Sequence, residues 1–191
     1  MTPLDMSRAT EREKMLRGDL YVATDPELVD ARIRARRLFA RFNASDPGDI
    51  AARTALLQEL LGAAGADSWI EPPFYCDYGT QVRLGDGVFV NFGAIFLDPA
   101  AITIGDRAQL GPAVQLLTAD HPRDAAERAA GPELARPITV GARAWLGGGV
   151  IVGPGVSIGA DSIIGAGSVV VRDIPAGVVA VGNPCRVIRD L

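Results

Sequence analysis

The chain has 191 residues, a formal net charge of −4 and a pI near 5.0. The chain is acidic and has no long basic run, so it lacks the charge pattern of a protein that binds nucleic acid or an anionic membrane. A hydrophobic content of 48% and a charged content of 22% predict one folded domain with a small appendage. The 22 glycines and 13 prolines, beside only 6% aromatic residues, indicate many tight corners.

The start of the chain lacks the order of a signal peptide, in which basic residues precede an apolar stretch. Asp5, Glu11 and Glu13 come before any apolar run, so we expect a cytoplasmic protein. Cys76 and Cys185 are too few for a disulfide framework and fit no metal-ligand spacing, so we expect buried, inert thiols.

Residues 8 to about 65 are predicted to be helical, because apolar residues recur at intervals of three and four with charges between them. Thr24 with Glu27 three residues later, and Pro26 between them, predicts the start of one helix. Ser45-Asp46-Pro47 predicts the start of another. In the helix predicted to start near Thr24, the apolar stripe consists of Leu28, Ile33, Ala35, Leu38, Phe39 and Phe42.

After Trp69 the apolar period becomes six. An apolar residue, nearly always aliphatic, recurs at every sixth position, and a small or branched residue follows it four positions later. One register holds Ile104, Leu110, Leu116, Val140, Leu146, Val152, Ile158, Ile164 and Val170. A block shifted by two residues holds Tyr78, Leu84, Val90 and Phe96. Only one companion departs from the pattern, namely Asp120 after Leu116.

A six-residue unit with one branched and one small inward side chain can form one flat strand and one corner of a coil. Three units close a rung, and stacked rungs share hydrogen bonds around a narrow aliphatic column that needs capped ends. The repeat therefore predicts a mainly β coil of hexapeptide repeats over residues 69–191. Residues 1–68 are expected to form an N-terminal helical cap.

One segment breaks the register. Residues 119–137 hold charges, prolines and a glycine, yet the hexads resume in phase at Val140. We therefore predict an extended loop, and loops on a rigid scaffold are where function concentrates. His121, the only histidine of the chain, stands at its root.

A set of short motifs follows in a fixed order along the chain. Together they resemble the maltose and galactoside O-acetyltransferase branch of the left-handed β-helix acyltransferases, to which nodulation acetyltransferases also belong. The resemblance covers essentially the whole chain. Its carriers include Glu71-Pro72-Pro73-Phe74, Cys76-Asp77-Tyr78-Gly79, Asn91-Phe92, Thr118-Ala119-Asp120-His121-Pro122, Ile164-Gly165-Ala166-Gly167-Ser168 and Gly182-Asn183-Pro184-Cys185-Arg186.

This resemblance implies a left-handed parallel β-helix, which departs from the usual right-handed crossover. It implies transfer of an acetyl group from acetyl-CoA to a hydroxyl of a sugar such as maltose, glucose or a galactoside, with no metal required. It also implies a homotrimer with active sites between adjacent subunits, where the loop of one subunit helps to close the site of its neighbour.

His121 is the candidate general base. A sugar hydroxyl is a poor nucleophile at its own pKa, and an imidazole can accept its proton near neutral pH. Composition alone favours a structural histidine held by hydrogen bonds. The motif Asp120-His121-Pro122 at a loop root favours the catalytic interpretation.

The tetrahedral intermediate needs hydrogen-bond donors for its negative oxygen. By resemblance these are the Asn91 side chain and the backbone N–H of Gly148, a position where relatives often carry serine. The alternative for Asn91 is a corner residue in the left-handed conformation.

Three carboxylates, Asp77, Asp98 and Glu133, match acidic positions of the maltose-type subgroup and are candidates to accept hydrogen bonds from the acceptor sugar. Glu133 is also a candidate to orient His121. Alternatively, Asp77 and Asp98 are turn residues and Glu133 is a solvated loop charge. Near Tyr21, Val22 and Ala23 replace an acidic residue of some relatives. The sequence therefore does not specify which sugar is the acceptor.

Coenzyme A carries a pantetheine arm that needs a slot of small residues and phosphates that need cations. Gly148 and Ala166 suit the slot. Arg172, Arg186 and Arg189 match family positions near the nucleotide, and their alternative role is as solvated surface charges. Trp145 is placed either near the cofactor or between subunits.

Other functions are compatible with a hexapeptide coil. A γ-class carbonic anhydrase needs three histidines around zinc, which one histidine per chain does not supply. A non-catalytic scaffold is disfavoured by His121, Asn91 and the arginines. Within acetyltransferases, the alternative acceptor is a non-sugar hydroxyl, on an antibiotic or an oligosaccharide-lipid precursor.

Overall fold

A computed structural model describes residues 9–191; Asp5, used above, lies outside the described residues. Three helices come first, as expected: α1 (Glu11–Arg17), α2 (Pro26–Asn43) and α3 (Ile50–Leu60). Helix α2 buries Leu28, Ala35, Leu38 and Phe42, whereas Ile33 of the predicted stripe is exposed. No helix within residues 9–191 combines the length and apolar character needed to cross a membrane.

The helix starts differ from the predicted ones. Asp25, not Thr24, caps α2, because its side chain accepts the N–H of Glu27 at 3.0 Å. Asp49, not Ser45, caps α3, and its side chain accepts the N–H of Ala52. Both carboxylates satisfy an N–H that the first helical turn leaves free, so several nearby capping residues compete for each helix start.

Short parallel strands wind around three faces, which confirms the mainly β solenoid of hexapeptide repeats. Face I holds β1 (Ala63–Ala64), β4 (Val82–Leu84), β7 (Ile102–Ile104), β12 (Ile138–Val140) and β15 (Ser157–Ile158). Face II holds β2 (Trp69–Ile70), β5 (Phe89–Val90), β8 (Gln109–Leu110), β13 (Trp145–Leu146), β16 (Ile163–Ile164), β18 (Val178–Val181) and the antiparallel β19 (Arg186–Asp190). Face III holds β3 (Phe74–Cys76), β6 (Ala94–Leu97), β9 (Gln115–Leu117), β14 (Ile151–Val152) and β17 (Val169–Val170).

The aliphatic repeat forms the core of the coil. Leu84, Ile104, Val140 and Ile158 pair in successive rungs of face I, and all four are buried. Faces II and III stack their repeat residues in the same way. Each rung thus buries its residues only against its neighbours, as the hexad pattern requires. The coil begins at β1, earlier than the expected boundary at residue 69.

The shift of two residues between the hexad blocks comes from wide corners. Cys76 pairs with Phe96, twenty residues later, whereas Thr139 pairs with Ser157, eighteen residues later. The extra residues lie between faces III and I. Tyr78, predicted to belong to the repeat, is therefore placed outside the coil, where it is buried in a cluster with Met15, Tyr21 and Leu28.

The segment after face III leaves the coil between Thr118 and Pro137. It contains β10 (Ala119–Asp120), the short helix α4 (Ala125–Ala129) and β11 (Leu134–Ala135), and β10 pairs with β11 antiparallel. The coil continues in register at Ile138, which pairs with Ile102. His121 thus follows the outgoing limb of a β-ribbon whose two limbs begin and end on the same corner.

Candidate functional site

The corner between faces II and III brings together Asn91, Gly148 and Ala166. Consecutive turns of this corner are joined by backbone hydrogen bonds, including Gly149 N–H to Pro112 O at 2.8 Å and Gly167 N–H to Gly148 O at 2.9 Å. Rungs of a β-structure lie about 4.8 Å apart, so the Gly148 turn lies about 10 Å along the coil from Asn91, and Ala166 about 14 Å. The turns of this corner lie one above another and form a straight ridge of mostly small residues.

Two features of this ridge suit oxyanion stabilisation. Within residues 9–191, the Gly148 N–H donates to no protein acceptor, so it is free to donate to a ligand. Asn91 does not have the positive φ of a left-handed corner residue, and its Oδ1 accepts the N–H of Phe92 at 2.8 Å. That hydrogen bond fixes the amide with its NH₂ group as the remaining donor.

The corner between faces III and I brings together Asp77, Asp98 and the root of the loop with His121. Asp77 follows β3, Asp98 follows β6 and His121 follows β9 and β10, so the three lie on consecutive rungs. This is the other edge of face III from Asn91. With face III about five residues wide at about 3.3 Å per residue, the two edges lie roughly 15 Å apart.

Asp98 has a structural role, which corrects the expectation that it contacts the sugar. Its side chain is fully buried, and its carboxyl accepts the N–H groups of Asp77, Tyr78 and Gln81 at 2.8 to 3.2 Å. Burial raises the pKa of Asp98 to about 7, although backbone hydrogen bonds from Tyr78, Gly79 and Gln81 act to lower it. Asp98 thus fills a wide corner, in agreement with its alternative role as a turn residue.

Asp77, on the wide corner, and Glu133, on the loop, are both partly exposed. Burial raises the pKa of Asp77, and nearby Arg32 lowers it in part. Glu133 Oε2 accepts the Tyr21 hydroxyl at 3.0 Å, and Arg32 donates to the Tyr78 hydroxyl at 2.7 Å. Both carboxylates keep acceptor capacity for hydroxyl groups. Within residues 9–191, no hydrogen bond joins Glu133 to His121.

His121 is exposed, and its ring makes no hydrogen bond within residues 9–191. Its backbone N–H donates to Asp120 Oδ1 at 2.9 Å. Desolvation acts to raise the pKa of Asp120, but hydrogen bonds from His121 N–H and Arg136 lower it overall. The imidazole is therefore open to a reactant, and the carboxylate beside it stays charged.

The three arginines lie toward the C-terminal end of the coil. Arg172 follows β17 on the same corner as His121, while Arg186 and Arg189 lie on β19. The segment before β19 extends face III beyond β17, because Val169 N–H donates to Gly182 O and Cys185 N–H donates to Val169 O, and it leaves Ala166 exposed. All three arginines are exposed, so their guanidinium groups are available to an anion at that end.

Several neighbours of these residues are not among the predicted site residues. Arg32, Tyr78 and Arg136 each contact a predicted site residue or its neighbour. Tyr78 was counted as a repeat residue, and the arginines had no signal beyond their charge. Their placement depends on how α2 and the loop pack on the wide corners.

The remaining predicted features are Trp145 and the two cysteines. Trp145 is 52% exposed on face II, and Cys76 and Cys185 are buried free thiols. A surface cavity of about 600 Å³ between α3 and the first rung contains none of the predicted site residues. Among residues 9–191, no cluster of three or more histidine, cysteine, aspartate or glutamate side chains is arranged to hold a metal ion.

Known proteins match nearly the whole chain. The maltose acetyltransferase hexapeptide capping motif matches residues 14–65, and the bacterial transferase hexapeptide model (six repeats) matches residues 137–172. Nodulation protein L of Rhizobium leguminosarum bv. viciae is 50% identical over 93% of this chain and 94% of its own.

Solved structures agree in fold. A maltose O-acetyltransferase from Clostridium difficile 630 superposes with a TM-score of 0.94 at 45% identity, covering 96% of this chain and 98% of its own. A hexapeptide-repeat acetyltransferase from Vibrio cholerae O1 biovar eltor, complexed with acetyl coenzyme A, has a TM-score of 0.89 at 40% identity, covering 96% and 99%. The chain therefore belongs to the maltose and galactoside O-acetyltransferase family of hexapeptide-repeat proteins and is an acetyl-CoA-dependent acetyltransferase.

Proposed function

We propose that the protein transfers the acetyl group of acetyl-CoA to a hydroxyl of a sugar such as maltose, glucose or a galactoside, with His121 as general base. The observation that carries this proposal is the separation of the predicted residues into two sets on opposite edges of face III. The His121 edge holds Asp77 and, on the loop, Glu133, two carboxylates that can accept hydrogen bonds from a hydroxyl. The Asn91 edge holds the donors and small residues suited to a thioester.

Two edges roughly 15 Å apart cannot serve one reacting centre within a single chain, since reacting groups must approach to about 3 Å. A second copy must therefore bring its own Asn91 edge to the His121 edge of the first. The outward residues support this packing, because those of face I are polar whereas those of faces II and III are mainly apolar. Face I presents Arg83, Thr103, Thr139 and Ser157; face II presents Trp69, Phe89, Gln109, Trp145 and Ile163; face III presents Tyr75, Ile95, Gln115, Ile151 and Val169.

A closed ring is the simplest assembly in which two different surfaces of identical chains meet. We propose a homotrimer in which face II of one subunit packs near face III of the next. Each interface then holds His121 from one subunit and Asn91, Gly148 and Ala166 from its neighbour. Trp145 lies on the packed face, which accounts for a large exposed aromatic side chain.

In this site the chemistry follows from the residues present. The His121 imidazole takes the proton from the attacking hydroxyl as its oxygen bonds to the thioester carbon. The oxygen of the tetrahedral intermediate accepts a hydrogen bond from one of the two predicted donors, the Asn91 amide or the Gly148 N–H, which lie about 10 Å apart along the coil. Collapse expels the coenzyme A thiolate, which takes up the proton that His121 holds. Arg172, Arg186 and Arg189 pair with the phosphates of the donor.

The test is a thiol-release assay with acetyl-CoA and a panel of maltose, glucose, galactosides and non-sugar alcohols. We expect turnover with at least one sugar, and we expect His121→Ala to lower kcat by about 10²–10⁴-fold while acetyl-CoA affinity is kept. Turnover only with non-sugar alcohols would assign the alternative acceptor class. An unchanged kcat in His121→Ala would refute the proposed base.

A further inference from the structure

Asp120, at the root of the loop, is mostly buried and accepts hydrogen bonds on both carboxylate oxygens. Its side chain is 13% exposed, and it accepts hydrogen bonds from two sides. Oδ1 accepts the backbone N–H of His121 at 2.9 Å, and Oδ2 accepts Arg136 Nη2 at 2.6 Å. Arg123 approaches the same oxygen at 3.3 Å but is 84% exposed.

Arg136 lies on the returning limb of the loop and is held against the coil. Its backbone N–H donates to Thr118 O at 2.9 Å, and its own carbonyl accepts the N–H of Gly155 at 3.3 Å. Its side chain lies over the next rung, since a Cβ placed on Gly155 would be 3.3 Å from Arg136 Cβ. Gly155, with φ of 78°, leaves room for this side chain without strain.

A continuous path of contacts therefore links the rigid coil to His121. Gly155 supports Arg136, Arg136 binds Asp120, and Asp120 binds the backbone of His121. The path also joins the two limbs of the ribbon at the point where they leave the corner, beyond the backbone pairing of Asp120 with Leu134. The His121 ring itself makes no hydrogen bond within residues 9–191, so its position depends on its backbone.

We propose that Asp120 and Arg136 form a clamp that positions His121 for proton transfer, so that both are positioning residues for the reaction. This inference rests on the proposed role of His121 as base. Both are argued to act through His121 and not on a reactant. Because a displacement of about 1 Å can lower a rate by about 10²-fold, we expect the clamp to act on kcat and to leave acetyl-CoA binding unchanged.

The experiment compares Asp120→Ala, Asp120→Asn, Arg136→Met and Arg136→Lys in the full-length enzyme. We expect kcat to fall about 10- to 100-fold in Asp120→Ala and Arg136→Met, with KM for acetyl-CoA within twofold of wild type. Asp120→Asn keeps an acceptor for the His121 N–H but loses the charge, so its kcat should lie between those of wild type and Asp120→Ala. Arg136→Lys keeps one donor and the charge and should restore most of the turnover.

The single histidine supplies a direct readout of position. In protein labelled at histidine Cε1 and free of any affinity tag, His121 gives one ring signal by NMR. We expect this signal to move and broaden in Asp120→Ala and Arg136→Met. The matched control is Asp161→Ala, which breaks an ion pair of similar length to Arg143 (2.6 Å) on the corner between faces I and II and should change neither the signal nor kcat.

His121→Ala is measured in parallel. If that variant keeps wild-type turnover, the proposed base is wrong. If it is inactive while Asp120→Ala and Arg136→Met stay within twofold of wild-type kcat, or lose turnover with an unchanged His121 signal, the clamp is wrong although the base is right.

Discussion

Tyr21 and Glu133 are joined both by their backbones and by their side chains. Each backbone N–H donates to the other residue's carbonyl at 3.0 Å, and the Tyr21 hydroxyl donates to Glu133 Oε2 at 3.0 Å. Desolvation, followed by the nearby Glu133 charge, raises the pKa of Tyr21 well above its ordinary value, so the hydroxyl remains a donor. The segment between α1 and α2 is thereby attached to the loop that carries His121.

We predict that Tyr21→Phe raises KM for the sugar acceptor, because Glu133 loses the donor that orients its carboxylate. The lost hydrogen bond to a partly buried carboxylate should also cost about 1–2 kcal/mol of stability. KM for acetyl-CoA should not change. Thr54→Val on α3 is the control, since it removes a hydroxyl that donates only to the Ile50 carbonyl, away from the loop and from faces II and III. Equal acceptor kinetics in both variants would contradict the role of the contact.

The buried Asp98 predicts a particular dependence of stability on pH. Its folded pKa of about 7 lies above the unfolded value of 3.8, so the folded state binds the proton more tightly. The Asp98 contribution to the free energy of unfolding is therefore present below pH 4 and is lost as the pH rises to 7, at no more than about 1.4 kcal/mol per pH unit.

Urea unfolding of wild type and Asp98→Asn at pH 5 and pH 8 measures this contribution. The free energy of unfolding of wild type minus that of the variant should become smaller at pH 8. A difference that grows with pH would show that the three backbone N–H groups outweigh burial and keep Asp98 ionised.

The free N–H of Gly148 allows a backbone donor to be tested. Gly148→Ser keeps the N–H, although its Cβ would lie 3.3 Å from Pro112, and we expect kcat within a few-fold of wild type. Gly148→Pro removes the N–H and should lower kcat on the order of 10²-fold. Pro112 occupies the equivalent place one rung away, so the corner accepts proline. Similar kcat values for both variants would exclude the Gly148 N–H as an oxyanion donor.

Arg186 on β19 is predicted to bind a phosphate of the donor. Arg186→Gln should raise KM for acetyl-CoA about tenfold, as expected for one hydrogen bond to a charged group, and leave kcat nearly unchanged. Arg83→Gln on the polar face I is the control and should behave as wild type. A fall in kcat with constant KM would place Arg186 at the reacting centre instead.

The sequence predicted the coil well, because an inward side chain at every sixth residue has few other physical explanations. It predicted the wide corners poorly. The shift between the hexad blocks marks the wide corner after Phe96, but nothing in the hexads marks the one after Cys76, so the pattern places Tyr78 in the repeat instead of Cys76. Likewise, capping residues cluster before each helix, and Thr24 was chosen over Asp25.

The site residues were predicted by resemblance, but their grouping was not. Which residues share a corner depends on the number of residues in each rung, and the loop adds to that number. Asp98 shows the limit of residue type as a guide, because a carboxylate that accepts three backbone N–H groups looks the same in sequence as one that faces a substrate.

The claim that each site is shared by two subunits is tested most directly by mixing two inactive variants. His121→Ala and Asn91→Ala subunits, unfolded and reassembled together in equal amounts, should regain activity, because every mixed trimer contains one interface with both residues intact. Random assembly predicts about one quarter of wild-type kcat. Activity that stays at the level of the separate variants, in samples whose mixed trimers are seen by native mass spectrometry, would contradict a site built from two chains.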